Sequence, residues 1–285
     1  MKPLKIKSYA KINLALDILG KKGKYHTIKT ILQQIALHDT ITLKEIENNK
    51  IIVKSNNKSL PLTAKNLAYQ AAELIKKAHR IKKGVKIFIN KHIPLAMGFG
   101  GGSSNAAAVL KGLNEMWNLK LSKAKLQKFA EKLGMDTAFF LTGGTAIGTH
   151  FGEKIQEIKP CKNLILALFI PNKKSKLISK TKNIYKKINL KHTGQLLKQT
   201  NFLITAIKKG DKQAIFDNLH NDIETAVDIS DIKNAIIKRG AANAFLAGSG
   251  PAIVAFFRTK LDRKKCLKNL DKKFKKEYQI IQTET

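Results

Sequence analysis

Four glycines and two serines carry the strongest chemical signal in this chain. The stretch PLAMGFGGGSSNAAAVL, residues 94–110, sets Gly98, Gly100, Gly101 and Gly102 ahead of Ser103 and Ser104. A bare turn after a strand and before a helix is a phosphate cradle. Glycine lets the backbone approach a ligand closely, and a helix start offers unpaired N–H groups and a positive dipole end. The serines add hydroxyls for phosphate oxygens or for the water shell of a metal. The spacing excludes two common versions of the device. A P-loop, GxxxxGK[ST], counted from Gly98 puts Ser103 at its second glycine, with no lysine behind it. A dinucleotide turn, GxGxxG, fits Gly98 and Gly100, but Ser103 stands at the third glycine. No acidic ribose ligand follows about 20 residues on. The HRD and DFG signatures of protein kinases are absent.

Such a loop needs a core to hold it, and the chain has one. Its 285 residues are 43% hydrophobic, enough for one large domain or two lobes. No apolar run approaches the roughly 20 residues of a membrane span. The start, MKPLKIKSYAKINLAL, lacks the apolar core and cleavage site of a secretion signal. The expectation is a soluble, cytoplasmic protein. Cys161 and Cys266 lie far apart without neighbouring Cys/His patterns, so neither a disulfide framework nor a zinc site is expected. Nor do His38, His79, His92, His150, His192 and His220 have metal-ligand spacing.

Charge narrows the partners. Fifty-four basic residues against 20 acidic ones give +34. Only Arg80, Arg239, Arg258 and Arg263 are arginines, and the lysines are spread along the whole chain. Bidentate phosphate and base recognition leans on arginine. The charge is therefore read as a general field that attracts anionic small molecules, with no specific nucleic-acid partner.

The elements that position the loop follow from periodicity. Ile6, Ala10, Ile12, Leu14, Leu16 and Ile18 share one face of a half-buried strand, and Lys7, Tyr9, Lys11, Asn13 and Asp17 the other. LGKKGKYH reads as a turn or loop. TIKTILQQIALHDTITLKEI and KIIVKS read as strands, NLAYQAAELIKKAHRI as a helix and GVKIFINKHIP as a strand leading into the glycines. A helix carrying Ala106, Val109, Leu110 and Leu113 follows, and Ser122 caps the next one, which ends at Gly134. Composition shifts near residue 158. Beyond it come a buried strand NLILALFIP, a basic exposed segment and the helical FLITAIKKGDKQAIFDNLHNDIETAV. NAFLAGSGPAIVAFF then reads as strand, glycine turn, strand, and the tail as a surface helix. Strands and helices mix without regular alternation, which implies an α+β fold in two lobes, here divided as 1–157 and 158–285.

These residues resemble a known family. PLAMGFGGGSSNAAAVLKGLN is similar to the nucleotide-binding motif P-x-x-x-G-L-G-S/G-S-S-A/D-A of the GHMP kinases. Three more segments agree, in the expected order along the chain. AKINLALDILGKKGKYHTIKTILQQIALHDTI resembles A-K-I-N-L-x-L…G-Y-H…T-x-x-Q…D. LGMDTAFFLTGGTAIGTHFGEKI resembles L-G-A-D-V-P-F-F-L-x-G-x-A…G-x-G-E. AANAFLAGSGPAIVAFF resembles G-A…M-S-G-S-G-P-T-x-F.

The resemblance implies a two-lobed α+β kinase, with an N-terminal nucleotide-binding lobe, a C-terminal ferredoxin-like lobe and the active site between them. It implies ATP and Mg2+ as cofactors, with transfer of a phosphoryl group to the 2-hydroxyl of CDP-methylerythritol, a step of the non-mevalonate isoprenoid route. Homoserine- or mevalonate-type kinases are the nearest alternatives, and GKYH and the triple glycine argue against them; a basic nucleic-acid-binding protein is the more distant one, and the dispersed lysines and few arginines argue against it. By the same resemblance Asp136 is the general base and Lys11 the catalytic lysine. Pro94, Leu95, Ala96, Met97, Gly98, Phe99, Gly100, Gly101, Gly102, Ser103, Ser104 and Asn66 are implied to hold ATP. Asn13, Tyr25, His26, Thr181 and Tyr185 are implied to hold the substrate, the two tyrosines closing on cytosine from either side and His26 meeting its polar edge. This chain departs from the pattern at Thr137-Ala138 (Val-Pro in the family), at Gly23-Lys24 (Asp-Gly) and at Lys180 (Ser). Ser104 is a metal-ligand candidate by hydroxyl chemistry alone.

Overall fold

The computed structural model describes residues 2–23, 25–172 and 181–285, except the side chains of 181–183. Two long strands, β1 (Leu4–Lys22) and β2 (Tyr25–Ile46), open the chain. Then come β3 (Ile51–Ser55), α1 (Leu67–Ala78), β4 (Gly84–Asn90) and α2 (Gly101–Met116). α3 (Lys123–Glu131), α4 (Thr137–Thr142), β5 (Thr145–Thr149), β6 (Lys154–Ile158) and β7 (Ile165–Pro171) follow. The remainder holds α5 (Thr181–Lys187), α6 (Leu197–Lys209), α7 (Lys212–Asp217), β8 (His220–Asn221) and α8 (Ser230–Lys238). It closes with β9 (Asn243–Leu246), β10 (Ile253–Phe257), α9 (Lys260–Asn269), α10 (Lys272–Glu277) and β11 (Tyr278–Glu284).

The chain forms two compact units, and β1 and β2 contribute to both. The first comprises Met1–Ala10, Leu37–Pro94 and Gly100–Gly143. There β4 pairs antiparallel with β2, from Thr40↔Asn90 to Ile46↔Gly84, and parallel with β3. Helix α2 lies against this sheet at Gly112, where a Cβ would run into Ile6 and Leu43. The alanine run Ala106–Ala108 is buried for the same reason: small side chains let the helix approach closely.

The second unit comprises Lys11–Ala36, Leu95–Phe99 and Gly144–Thr285. β1 pairs parallel with β8 at Ala15↔His220, β2 antiparallel with β5 at Thr30↔Gly148, and β5 with β6. A separate antiparallel sheet runs β11-β7-β10-β9. Its core gathers Phe169, Leu246, Ile253 and Phe257 with Ile232 and Ile236 of α8 and Cys266 of α9.

Three sequence expectations need correction. LGKKGKYH is mostly strand, because β1 runs to Lys22 and β2 begins at Tyr25, with the reversal at Gly23 (φ +60°). The polar face of β1 is not solvated: Lys11, Asn13 and Asp17 are all buried, since other segments cover that side too. The long helical reading after residue 201 breaks into α6 and α7 at Gly210, a left-handed C-cap, and then into the short strand β8.

Candidate active site

The glycine stretch is divided between the units, residues 95–99 in the second and 100–104 in the first. Gly100 starts α2 in the left-handed region (φ +68°), and no side chain caps the helix. The sixteen-residue helix thus presents its first-turn amides without a competing acceptor from a side-chain cap. Gly102 there is exposed, and a Cβ on it would meet only Leu67 of α1, at 3.7 Å. This is the physical form of an anion cradle. Gly101 is there for packing: a Cβ would lie 2.8 Å from Lys91 Nζ and 3.1 Å from Ile93.

Beneath the helix start lies a buried polar hub that motif reading left without a role. Asp39 Oδ1 accepts from the backbone N–H groups of His92 and Ile93, at 2.7 and 2.8 Å. Its Oδ2 accepts from Lys91 Nζ at 2.5 Å and Asn105 Nδ2 at 2.8 Å. Asn105 Nδ2 also reaches Ser8 Oγ, which donates to Ser104 Oγ at 2.7 Å. Ser104 is buried, so its hydroxyl is turned to the interior, whereas Ser103 is half-buried. Burial pulls the Lys91 ammonium below its ordinary value, against the opposing pull of Asp39. Asp39 is the final D of the opening family pattern, the one signal that pointed to it.

Asp136 belongs to the same unit. It precedes α4 with helical backbone angles, and its side chain makes no capping bond to that helix. The turn holding it is closed by Thr137 N–H donating to Gly134 O at 3.0 Å. A Cβ on Gly134 would sit 3.7 Å from Ser103 Oγ, so the turn adjoins the start of α2. Thr137, where the family has valine, is fully buried, and its hydroxyl has no hydrogen-bond partner. Asn66 caps α1: Oδ1 accepts from Ala68 N–H at 2.9 Å and Nδ2 donates to Pro61 O at 2.7 Å. Its part in nucleotide binding rests on the resemblance alone.

In the second unit, two glycine turns accept backbone hydrogen bonds from the middle of β1 along one edge. Lys11 N–H donates to Phe99 O at 3.0 Å and Asn13 N–H to Ala247 O at 2.9 Å. Lys11 is 4% exposed, and Nζ donates to Asn13 Oδ1 at 2.8 Å. Asn13 Nδ2 donates to Thr30 Oγ1, which donates to Ala15 O, both at 2.6 Å. A Cβ on Gly248 would meet Asn13 Oδ1 at 3.0 Å and Lys11 Nζ at 3.2 Å. The turn 246–252 therefore shapes the surroundings of the lysine. Ala96 (φ +59°) and Gly98 (φ +90°) complete the bend of residues 95–99.

Aromatic rings gather at the start of β2. Tyr25 is 45% exposed, and its ring centroid lies 5.4 Å from that of Phe151. His26 lies 5.1 Å from Tyr185 of α5. Burial first, and then the charge of Lys21, hold His26 below the ordinary histidine value. A neutral imidazole offers one donor and one acceptor. Thr181 begins α5, and its side chain, like residue Lys180, lies outside the described residues. Among the described residues no cluster of three or more His, Cys, Asp or Glu could hold a metal, and no helix is long and apolar enough to cross a membrane.

Comparison with known proteins matches two segments of the chain. Residues 66–144 match the GHMP kinases N terminal domain and 203–276 the GHMP kinases C terminal domain. The chain is 39% identical to a 4-diphosphocytidyl-2-C-methyl-D-erythritol kinase of Clostridioides difficile, over 97% of this chain and 94% of the relative. It is 38% identical to the protein of that name from Caldicellulosiruptor bescii, over 99% and 98%. Among solved structures, a 4-(cytidine 5'-diphospho)-2C-methyl-D-erythritol kinase superposes with a TM-score of 0.80 at 21% identity, covering 99% of this chain and 98% of that one. A homoserine kinase from Cytophaga hutchinsonii gives 0.76 at 18% identity, covering 100% and 95%. At these identities the structural likeness speaks to the fold alone.

Proposed function

The chain belongs to the GHMP kinases, among the 4-diphosphocytidyl-2-C-methyl-D-erythritol kinases, and we infer that it phosphorylates the 2-hydroxyl of CDP-methylerythritol at the expense of ATP. The observation that carries this reading is the near-full-length identity with relatives of that name, 39% in the first case above. The product is the 2-phosphate with ADP, in the non-mevalonate route to isoprenoids. The setting we propose is the cytoplasm, where substrate and ATP are dissolved.

Phosphoryl transfer relies on positioning and charge stabilisation more than on covalent chemistry. The uncapped start of α2 and exposed Gly102 fit a triphosphate, held by the backbone of residues 94–104. Bound there, ATP supplies the phosphoryl group. Magnesium is usually held by phosphates, waters and one or two protein oxygens, so it needs no protein cage. Ser103 is the half-buried hydroxyl at that helix start, whereas Ser104 is engaged with Ser8.

In our reading Asp136 takes the hydroxyl proton as the substrate oxygen attacks the γ-phosphorus, and ADP departs. That its side chain does not cap α4 supports a role other than helix capping. Lys11 carries positive charge for the developing anion, its ammonium steadied by Asn13. Tyr25 and Tyr185 give the cytosine apolar faces, and His26 its polar edge. We propose a boundary between domains at 157/158.

The test is a coupled ADP-release assay with CDP-methylerythritol, homoserine and mevalonate in parallel. Turnover should be confined to the first. Preferential turnover of either of the others would overturn the substrate, though not the kinase chemistry.

A further inference from the structure

One device near the start of β2 has no role in the reaction as described. The loop joining β5 to β6 holds His150, Phe151 and Glu153 in a closed arrangement. Glu153 Oε2 accepts from Phe151 N–H at 2.9 Å, and Oε1 pairs with His150 Nδ1 at 2.5 Å. The carboxylate sits below its ordinary range: burial pushes it up, but the bonds from His150 and Phe151 outweigh that. His150 takes a left-handed backbone (φ +64°) and Gly152 another (φ +106°). In the G-x-G-E pattern quoted above, His150 stands where the first glycine would be. A histidine there keeps a strained backbone and gains the bond to Glu153.

The loop is also tied to β2. His150 O accepts from Ile28 N–H at 2.7 Å, three residues beyond Tyr25. The His150 and Phe151 ring centroids are 3.8 Å apart, and Phe151 in turn lies 5.4 Å from Tyr25 at 46°. Glu153, His150, Phe151 and Tyr25 thus form a continuous line of contact from a half-buried carboxylate to an exposed ring. An exposed tyrosine loses rotamer freedom when it stacks on a base. A ring fixed behind it removes part of that loss in advance.

We propose that Phe151 is a positioning residue for nucleobase recognition, bracing the Tyr25 ring in the orientation that stacks on cytosine, with the His150–Glu153 pair setting Phe151. This rests on the reading of Tyr25 as a base-stacking residue. The ligand class is a cytidine nucleotide, and the effect falls on its binding and not on phosphoryl transfer.

The experiment compares Phe151→Leu, Phe151→Tyr, Glu153→Gln and Tyr25→Ala in steady-state kinetics, with CDP affinity measured by calorimetry. Leucine fills the space without a ring, which keeps the loop packed. Phe151→Leu should raise KM for CDP-methylerythritol and Kd for CDP about tenfold, the scale of one stacking contact. Its kcat and its KM for ATP should stay unchanged. Phe151→Tyr should restore binding, and Glu153→Gln should shift it in the same direction as leucine by a smaller factor. A raised KM in Tyr25→Ala with none in Phe151→Leu overturns the brace and leaves the base reading intact. No change in Tyr25→Ala overturns both. A loss in Phe151→Leu that falls equally on ATP and kcat shows a structural role and also overturns it.

Discussion

Gly98 and Gly250 press backbone against backbone. A Cβ on Gly98 would lie 2.8 Å from the Gly250 nitrogen, and one on Gly250 would overlap Met97 and the Gly98 nitrogen. The two glycines, 152 residues apart in sequence, shape their turns to each other. Gly250→Ala should therefore displace residues 95–99 and lower kcat/KM for ATP, by about a hundredfold for a shift of about 1 Å. Steady-state kinetics with varied ATP measures it. A variant with wild-type kinetics would show that the contact tolerates a methyl group.

Asp136→Asn keeps the size of the side chain and removes its basicity. Turnover should fall about 10²–10⁴-fold, with ATP affinity by calorimetry nearly unchanged. Lys11→Met should also reduce turnover, because the ammonium that Asn13 orients is gone. Retained turnover in the Asp136 variant would remove that residue from its proposed role.

The Lys91–Asp39 pair is a stability prediction. Both side chains are almost fully buried, at 2% and 0% exposure. Asp39→Asn leaves the Lys91 ammonium facing an amide, and losing one partner of a buried pair costs about 3–5 kcal/mol. Urea unfolding should show this as a lower midpoint. Adding Lys91→Met to the Asp39 variant should recover part of the loss, because no unpaired charge then remains.

His220 predicts a pH dependence. Its Nε2 faces Asp17 Oδ1 at 3.0 Å and its Nδ1 faces Asn218 O at 3.0 Å, so both ring nitrogens meet acceptors. Burial lowers its pKa, but the bonds to Asp17 and Asn218 and the charges of Asp17 and Asp222 outweigh that and raise it. The folded state thus holds this proton more tightly than the unfolded chain. The contribution is complete below the unfolded value, about 6.5, and is lost as pH rises through the folded value. The thermal midpoint should decline over that window, and His220→Gln should flatten this part of the profile. An unchanged slope in the variant would assign the decline to other groups.

The sequence made the local devices readable and left their neighbours hidden. The glycine run, the strand before it and the helix after it follow from nearest-neighbour chemistry, and α2 starts at Gly101, inside that run. Lys11 and Asn13 were rightly put on one face of β1, yet that face was read as polar and open. Alternation reports which residues share a side, not what later covers it. Gly248 covers it beside Lys11 and Asn13, and Thr200 and His220 cover it beside Asp17, all from far along the chain. Asp39 sat in a quoted pattern without a role, because Lys91, His92, Ile93 and Asn105 reach it only in the fold. Phe151 had no motif of its own, and only its ring's place behind Tyr25 gives it meaning.

The uncapped start of α2 bears on how the protein could be inhibited and how it could escape. A molecule that binds through Tyr25 depends on one exposed side chain, which a single codon change replaces. A molecule that binds the first turn of α2 depends on amide groups, which only a change to proline removes. Gly98 and Gly101 cannot readily gain a side chain without colliding with Gly250 or Lys91. Resistance there would have to come from exposed Gly102, from such a proline, or by reshaping the loop itself.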